Sequence, residues 1–320
     1  MKHLVICDYG TFLGLDNHRL AVRHDKEVKH YPLNRLNTVS IAKLGISFSS
    51  DLIKAFSSRG IKLFFLDFRG VAHSAILGES QHGVVAVRIA QMKFAESQER
   101  TIPLAKKIVG AKIKNQRAVL NYLHKYHKNN ELASTSEQLS LNVAKVGKAK
   151  DIETILGFEG ASASIYFQVL KQAKLFSASF EKREGRGSRE INNSMLNLGY
   201  AVLSSYVLNA IINSGLEPYL GVLHSNRPGK MALVLDIMEE YRAWVVDRAV
   251  IKLRAKTAQK EKLDLSLKKD LISEIQKTCR KKYSYRKKKH KLEHIIQRQI
   301  YRLCGHFYGE NTYKPYLFKW

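Results

Sequence analysis

Near residue 85 the spacing of apolar residues changes, and the change obliges any fold of this chain to join a sheet-built part to a helical part. Upstream, short β-branched or aromatic runs succeed one another: LVICD (4–8), RLAVRHD (19–25), EVKHYPL (27–33), TVSIAKL (38–44), KLFFLDF (62–68) and VAHSAIL (71–77). Turn signals DYGTF, DNH and RG separate them. One helix is expected among the strands, DLIKAFSS, with Ser49 or Ser50 as its cap and Gly60 as its stop.

Downstream the apolar residues recur every three or four positions. RTIPLAKKIVGAKIKNQRAVLNYLHKY (100–126) predicts a helix with Pro103 at its start, and STSE (134–137) matches a capping box that opens the next. Further helices are expected over roughly 151–180, 193–213, 231–256 and 267–303. The polar, glycine-containing SFEKREGRGSREINN (179–193) reads as a mobile loop. The fold class is therefore α+β, with a small β-rich domain over 1–85 and a larger all-helical domain over 86–320.

Charge then narrows the partners. The chain carries a formal net charge of +26, a field whose commonest soluble partner is a phosphate backbone; an anionic membrane surface or mere solubility are the alternatives. The surplus is uneven. The first eighty residues hold 11 Lys and Arg against 7 Asp and Glu, whereas the last seventy hold 20 against 6. RKKYSYRKKKHK (280–291) places eight Lys or Arg in twelve positions around Tyr283 and Tyr285. Lys281, Lys282, Arg286, Lys287, Lys288 and Lys289 are the expected phosphate contacts, with the tyrosines available to stack on bases or sugars. The other reading of this strip is a solvated helix face.

Other classes recede. Cys7, Cys279 and Cys304 have no metal-ligand or redox spacing, so neither a disulfide framework nor a zinc ribbon is expected. MKHLVICDYG reads as a first strand rather than a signal peptide, and no run reaches about 18 consecutive apolar residues, so a cytoplasmic protein without a transmembrane helix is expected.

Within this basic chain, HSNRPGKMALVLDIMEEYR (224–242) gathers Asp236, Glu239 and Glu240 just after His224. The three acids admit several roles: exposed partners of Lys230 or Arg242, general acids, or holders of a metal ion that bridges to a phosphate. Helical geometry puts Glu239 on a stripe with Leu235, Ala243 and Val246, at the edge of a core, with Asp236 one turn earlier. A partly buried acid needs a proton, an arginine or a metal. Upstream, Glu159 lies among Gly157, Gly160, Ala161, Ser162 and Ala163, small residues that let another helix approach closely.

FEGASASIYF, GLEPYLGVLHSNRPGKMALVLDIMEEYR and AKKIVGAKIKNQRAVL together resemble the CRISPR-associated Cas-one family, the integrase-endonuclease of CRISPR adaptation. SREINNSMLNLGYAVL (188–203) and HIIQRQIYRLCGHFYGENTYKPY (294–316) follow in the family's order, so the likeness extends across nearly the whole chain. The resemblance implies a metal site formed by Glu159, His224 and Glu239, with Asp236 behind it or as an alternate ligand. Two carboxylates and an imidazole suit Mn²⁺ or Mg²⁺. The resemblance further implies insertion of short foreign DNA fragments into a CRISPR array, and homodimers bridged by a small Cas-two protein. The rivals are a transposon-borne integrase of the same fold and a DNA-binding subunit with an inert site. Because both ends of a fragment must react, two copies have to be held at a fixed separation; the β-rich domain, with its sheet edges and small charge surplus, is the expected dimer contact.

Overall fold

A computed structural model describes residues 2–66, 72–76, 85–185, 187–257 and 260–319. The β-rich start forms two four-stranded sheets. One runs β1 (Lys2–Ile6), β5 (Leu36–Ile41), β7 (Lys62–Leu66) and β8 (Ala72–Ile76), in that order, with only β8 antiparallel. The other is the meander β4 (Glu27–Pro32), β3 (Arg19–His24) and β2 (Phe12–Asp16), extended by the short β6 (Ser47–Phe48). The strands β2 and β6 fall outside the expected runs. The predicted helix is present as α1 (Ser50–Ser58); Ser49 holds its cap position and Gly60 leaves it at φ +64°. The far ends of the strands expected at 62–68 and 71–77 lie outside the described residues.

The α+β class holds, with helices filling most of the chain after residue 85. They are α2 (Val85–Ala95), α3 (Gln98–His127), α4 (Asn130–Lys148), α5 (Ile152–Gln172), α6 (Ile191–Asn213), α7 (Ala232–Met238), α8 (Arg248–Lys252), α9 (Arg254–Thr257), α10 (Leu265–Arg280) and α11 (Leu292–Phe307). Several expectations fail in instructive ways. Helix α3 starts five residues before Pro103, which sits in its second turn at the cost of one ladder bond. Helix α4 is capped by Asn129, whose side chain accepts from the Glu131 amide, so Ser134–Glu137 lies within the helix and is not a capping box. The predicted 231–256 helix is interrupted after α7 by a turn and a π-helical stretch over Ala243–Asp247. The predicted 267–303 helix is two helices joined by a β-hairpin, β9 (Lys282–Tyr285) and β10 (Lys288–Lys291). The second part is therefore not all-helical. Tyr283 and Tyr285 recur there with period two, and Arg286 and Lys287 form the tip at φ +49° and +67°.

The described residues among 173–190, which connect α5 to α6, have no regular structure, yet they are tied down. Glu190 caps α6 by accepting from the Asn192 and Asn193 amides, Asn193 donates to the Lys182 carbonyl, and Arg183 donates to Asn193 and Asn197. These contacts tie the described part of this connection to the first turns of α6.

Two hydrophobic clusters organise the packing. Buried residues between Ile6 and Leu63 fill the space between the sheets and α1, and those from Phe64 to Phe318 form the larger core. Lys62 donating to Asn213 (2.6 Å), and Gln276 donating to the His3 carbonyl (3.0 Å), fasten one to the other. By length and composition α6 could cross a membrane, but 72% of its most apolar window is buried inside the protein, the position of a core helix.

Candidate active site

The 30-residue helix α3 carries a lysine on its buried face. Lys112 follows Ile108 and precedes Asn115 and Gln116, all of them buried, so helical spacing leaves its ammonium no route to water along that stripe. Its Nζ meets Glu159 Oε1 from α5 and Glu239 Oε2, at 2.7 Å, from the end of α7. Arg242, one turn after Glu239, brings Nη2 to within 3.2 Å of the other Glu239 oxygen. Burial alone would raise the Glu239 carboxyl, but Arg242, Lys112 and His224 outweigh it and hold the group down to about 2. Two acids and two cations thus converge, and one of the cations, Lys112, comes from a helix the sequence reading did not connect with the acids.

His224 is set by Asp236. The fully buried Asp236 carboxylate accepts from the backbone N–H groups of Val222 (2.6 Å), Leu223 (3.1 Å) and His224 (3.0 Å), and its Oδ1 lies 2.7 Å from His224 Nδ1. Gly221 makes this wrap possible: a Cβ there would lie 2.7 Å from Asp236 Oδ2 and 2.9 Å from the Ala232 backbone. With Nδ1 engaged by the carboxylate, Nε2 is the ring nitrogen left for chemistry, on a side chain 24% exposed.

The third acid does something else. Glu240 is buried and accepts from the Tyr313 hydroxyl and the Tyr316 amide, pinning the C-terminal segment behind the site. Asn115 completes the attachment by donating to the Glu240 and Tyr316 carbonyls and accepting from the Phe318 amide. All three acids of the 224–242 segment are buried, which removes the reading of them as exposed helix acids.

The geometry therefore joins Glu159 and Glu239 through Lys112, and His224 to Asp236. Among the described residues no three His, Cys, Asp or Glu side chains stand close enough to share one ion. Lys112 and Arg183 went unnoticed in the sequence, and Arg242 was expected only as a partner of exposed acids; the signal for Lys112 was a charge on an apolar helix face. Gly157 and Gly160 do not mediate close helix packing, because a Cβ at either meets nothing within 4 Å, whereas Ser162 is buried and accepts from Asn142 of α4 (3.1 Å). The two glycines leave room instead. A cavity of about 260 Å³ opens beside the site, lined by Lys112, Gln116, Glu159, Arg183, Tyr200 and Arg242. Arg183 and Arg242 lie 5.4 and 4.8 Å from the Tyr200 ring centre, and the Tyr200 hydroxyl donates to Asp247 (2.6 Å), the last residue of the π-helical stretch. A π-turn beside a functional site is a recurring device for re-aiming side chains, here Arg242 and Asp247.

The basic strip lies on the hairpin. Lys281, Lys282, Arg286, Lys287, Lys288 and Lys289 are all exposed. The tyrosines are committed elsewhere: Tyr283 packs edge-on against Phe318 and receives the Trp244 indole N–H, and Tyr285 donates to Gln299. They anchor the hairpin and do not offer free faces for stacking.

Comparison with known proteins agrees with this architecture. The profile for CRISPR associated protein Cas1 matches residues 4–299. A CRISPR-associated endonuclease Cas1 of Francisella tularensis subsp. novicida (strain U112) is 60% identical over the full length of both chains. Among solved structures, a casposase bound to integration product aligns with a TM-score of 0.84 at 23% identity, covering 98% of this chain and 93% of that one. A chain of a Cas6-RT-Cas1–Cas2 complex aligns at 0.81 and 21% identity, covering 98% of this chain and 36% of that one. These last two likenesses are of fold. The match of the profile across nearly the whole chain, together with the full-length relative, places this protein in the Cas1 family.

Proposed function

We propose that this chain is a metal-dependent DNA endonuclease and strand-transfer integrase that inserts short foreign DNA fragments into a CRISPR array. The observation that carries the reading is the position of the Lys112 ammonium, held between two carboxylates from helices far apart in sequence. That position is built for positive charge. Two carboxylates and an imidazole are donor types that take a hard divalent cation such as Mg²⁺ or Mn²⁺, and Glu159, Glu239 and His224 would hold it if the Lys112 ammonium, 2.7 Å from Glu239 Oε2, gave up its place between the carboxylates. When bound, such an ion polarises a phosphodiester and activates an attacking hydroxyl. The protein's own groups supply the rest. Arg183 and Arg242 line the cavity as donors for the phosphate oxygens, and Asp236 keeps the imidazole in one tautomer and one orientation.

Water as the attacker gives a nick, and a DNA 3′-hydroxyl gives transesterification. Double-stranded DNA, as fragment and as repeat, is the substrate. The chain acts in the cytoplasm as a homodimer through residues 1–85, and a small Cas2 protein bridges two dimers. The edge strand β4, exposed along most of its length, supports that contact. The test is incubation of the purified protein with its Cas2 partner, a labelled fragment and a supercoiled repeat plasmid, with Mn²⁺ or with chelator. Metal-dependent joining of label to plasmid is expected; joining that persists in chelator overturns the reading.

Two further results are expected. Asp236→Ala leaves three loop amides and the imidazole without their acceptor, a loss on the order of 3 kcal/mol in a urea melt. Its activity falls less than that of the ligand variants, whereas complete inactivity with lost metal binding would make Asp236 a ligand. For the hairpin, each phosphate neutralised contributes about 0.9 to the slope of log affinity against log salt. Replacing Lys287, Lys288 and Lys289 together with Ala should flatten that slope and weaken DNA binding without regard to sequence. An unchanged slope would return the strip to a solvated face.

A further inference from the structure

A second cavity, of about 450 Å³, lies between the C-terminal half of α3, helix α8 and helix α10. It shares no lining residue with the cavity at Glu159. Its volume falls in the range of small-molecule sites. We propose that it is a nucleotide pocket, holding one unstacked base and the phosphate attached to it.

The wall is aromatic. Tyr122 and Tyr126 stand one helical turn apart with ring centres 4.8 Å from each other, and Tyr122 packs on Trp244 at 5.8 Å. Tyr126 is 68% exposed, an apolar ring presented to water at the mouth of a pocket. Beside these rings Arg248 is fixed in place. Its guanidinium carbon lies 5.6 Å from the Tyr122 centre and 4.6 Å from that of Trp244; Nε donates to the Trp244 carbonyl and Nη2 to Thr278. A guanidinium already stacked and tethered loses little freedom on meeting an anion, and the edge not turned to Trp244 and Thr278 remains for a phosphate.

The rim is cationic. Arg248, Lys252, Arg254, Lys277 and Lys281 line the cavity against one carboxylate, Glu274, so five positive charges face one negative. Glu274 holds Lys252 at 2.6 Å and Lys277 at 2.9 Å, which fixes both amines at the edge. Cations alone would suit any acidic ligand. An exposed ring and a half-buried one beside a stacked arginine suit a flat aromatic group that carries its own negative charge, which is the chemistry of a nucleotide. The location fits as well: Lys281, on the rim, directly precedes the basic hairpin. A DNA end lying along the hairpin could drop a base from its single-stranded overhang into the pocket. The inference does not require the carboxylate site to be catalytic.

The test uses the full-length protein and three probes: a fluorescent duplex with a short single-stranded 3′ overhang, the same duplex blunt-ended, and dAMP. Tyr126→Ala removes a ring without altering charge, and its exposure keeps the fold intact; Tyr126→Phe retains the stacking face. Wild type and Tyr126→Phe should bind the overhang duplex more tightly than the blunt one. Tyr126→Ala should lose about tenfold in affinity for the overhang duplex and nothing for the blunt one. Loss confined to the overhang duplex identifies a DNA end as the ligand, whereas saturable dAMP binding abolished by Tyr126→Ala identifies a free nucleotide. Unchanged affinity of Tyr126→Ala for both the overhang duplex and dAMP overturns the proposal.

Discussion

Glu159→Ala, Glu239→Gln and His224→Ala should each lower nicking and strand transfer by about a hundredfold or more, the usual effect of removing one group that stabilises charge in a transition state. Glu239→Gln is preferred to Glu239→Ala for a structural reason. Glu239 is 3% exposed and is the partner of both Lys112 and Arg242, so deleting it leaves half-buried Arg242 without its carboxylate and buried Lys112 with Glu159 alone, at a cost of roughly 3–5 kcal/mol. The amide keeps the shape and removes the charge. Glu159, whose side chain is 21% exposed, tolerates Ala better. The measurement is turnover of a supercoiled plasmid in Mn²⁺, read beside a thermal melt. Full strand transfer by folded His224→Ala would remove the imidazole from the site.

The largest effect on stability is expected at the other end of the chain. Ending the protein after Thr312 removes Tyr313, Tyr316 and Phe318, rings that are 0%, 8% and 5% exposed. Losing a buried aromatic side chain costs roughly 3–5 kcal/mol, and three such losses approach the whole stability of an ordinary domain, about 5–15 kcal/mol. The truncation also strips Glu240 and Asn115 of their partners, and Trp244 of the Phe318 ring stacked on it at 5.2 Å. The shortened chain should be recovered unfolded or aggregated, with no cooperative melt by circular dichroism. A soluble product melting like the full chain would show that the tail only lies on the surface.

What the sequence made legible follows a physical rule. Period and caps reveal elements whose local preference agrees with their surroundings. They therefore found most strands, α1 and α6. They failed where long-range contacts decide. Nothing local distinguishes Asn129 from Ser134 as the start of α4, and nothing in 231–256 announces a turn and a π-stretch after Glu239. The hairpin was hidden by its charge, since lysine is a good helix former; the alternation of Tyr283 and Tyr285 was the contrary signal. At the site, Glu159, His224 and Glu239, with Asp236 behind them, were named by resemblance to a family. The roles of Asp236, Glu240 and Lys112 required coordinates, because each depends on a partner at least a dozen residues away. Lys112 in particular looked like one more charge on a chain with 54 Lys and Arg.

The hairpin tip has a meaning for anyone who would engineer this protein. Arg286 and Lys287 both adopt left-handed backbone angles, a conformation that Asn-Gly accepts readily and that costs other residues roughly 1–2 kcal/mol each. A search for thermostability would choose these two positions early, and the exchange would raise the melting temperature. It would also remove two exposed cations from the tip of the hairpin. Thermal tolerance and grip on a polyanion are set against each other within two residues, so a hardened variant that no longer retains its substrate should be inspected there first.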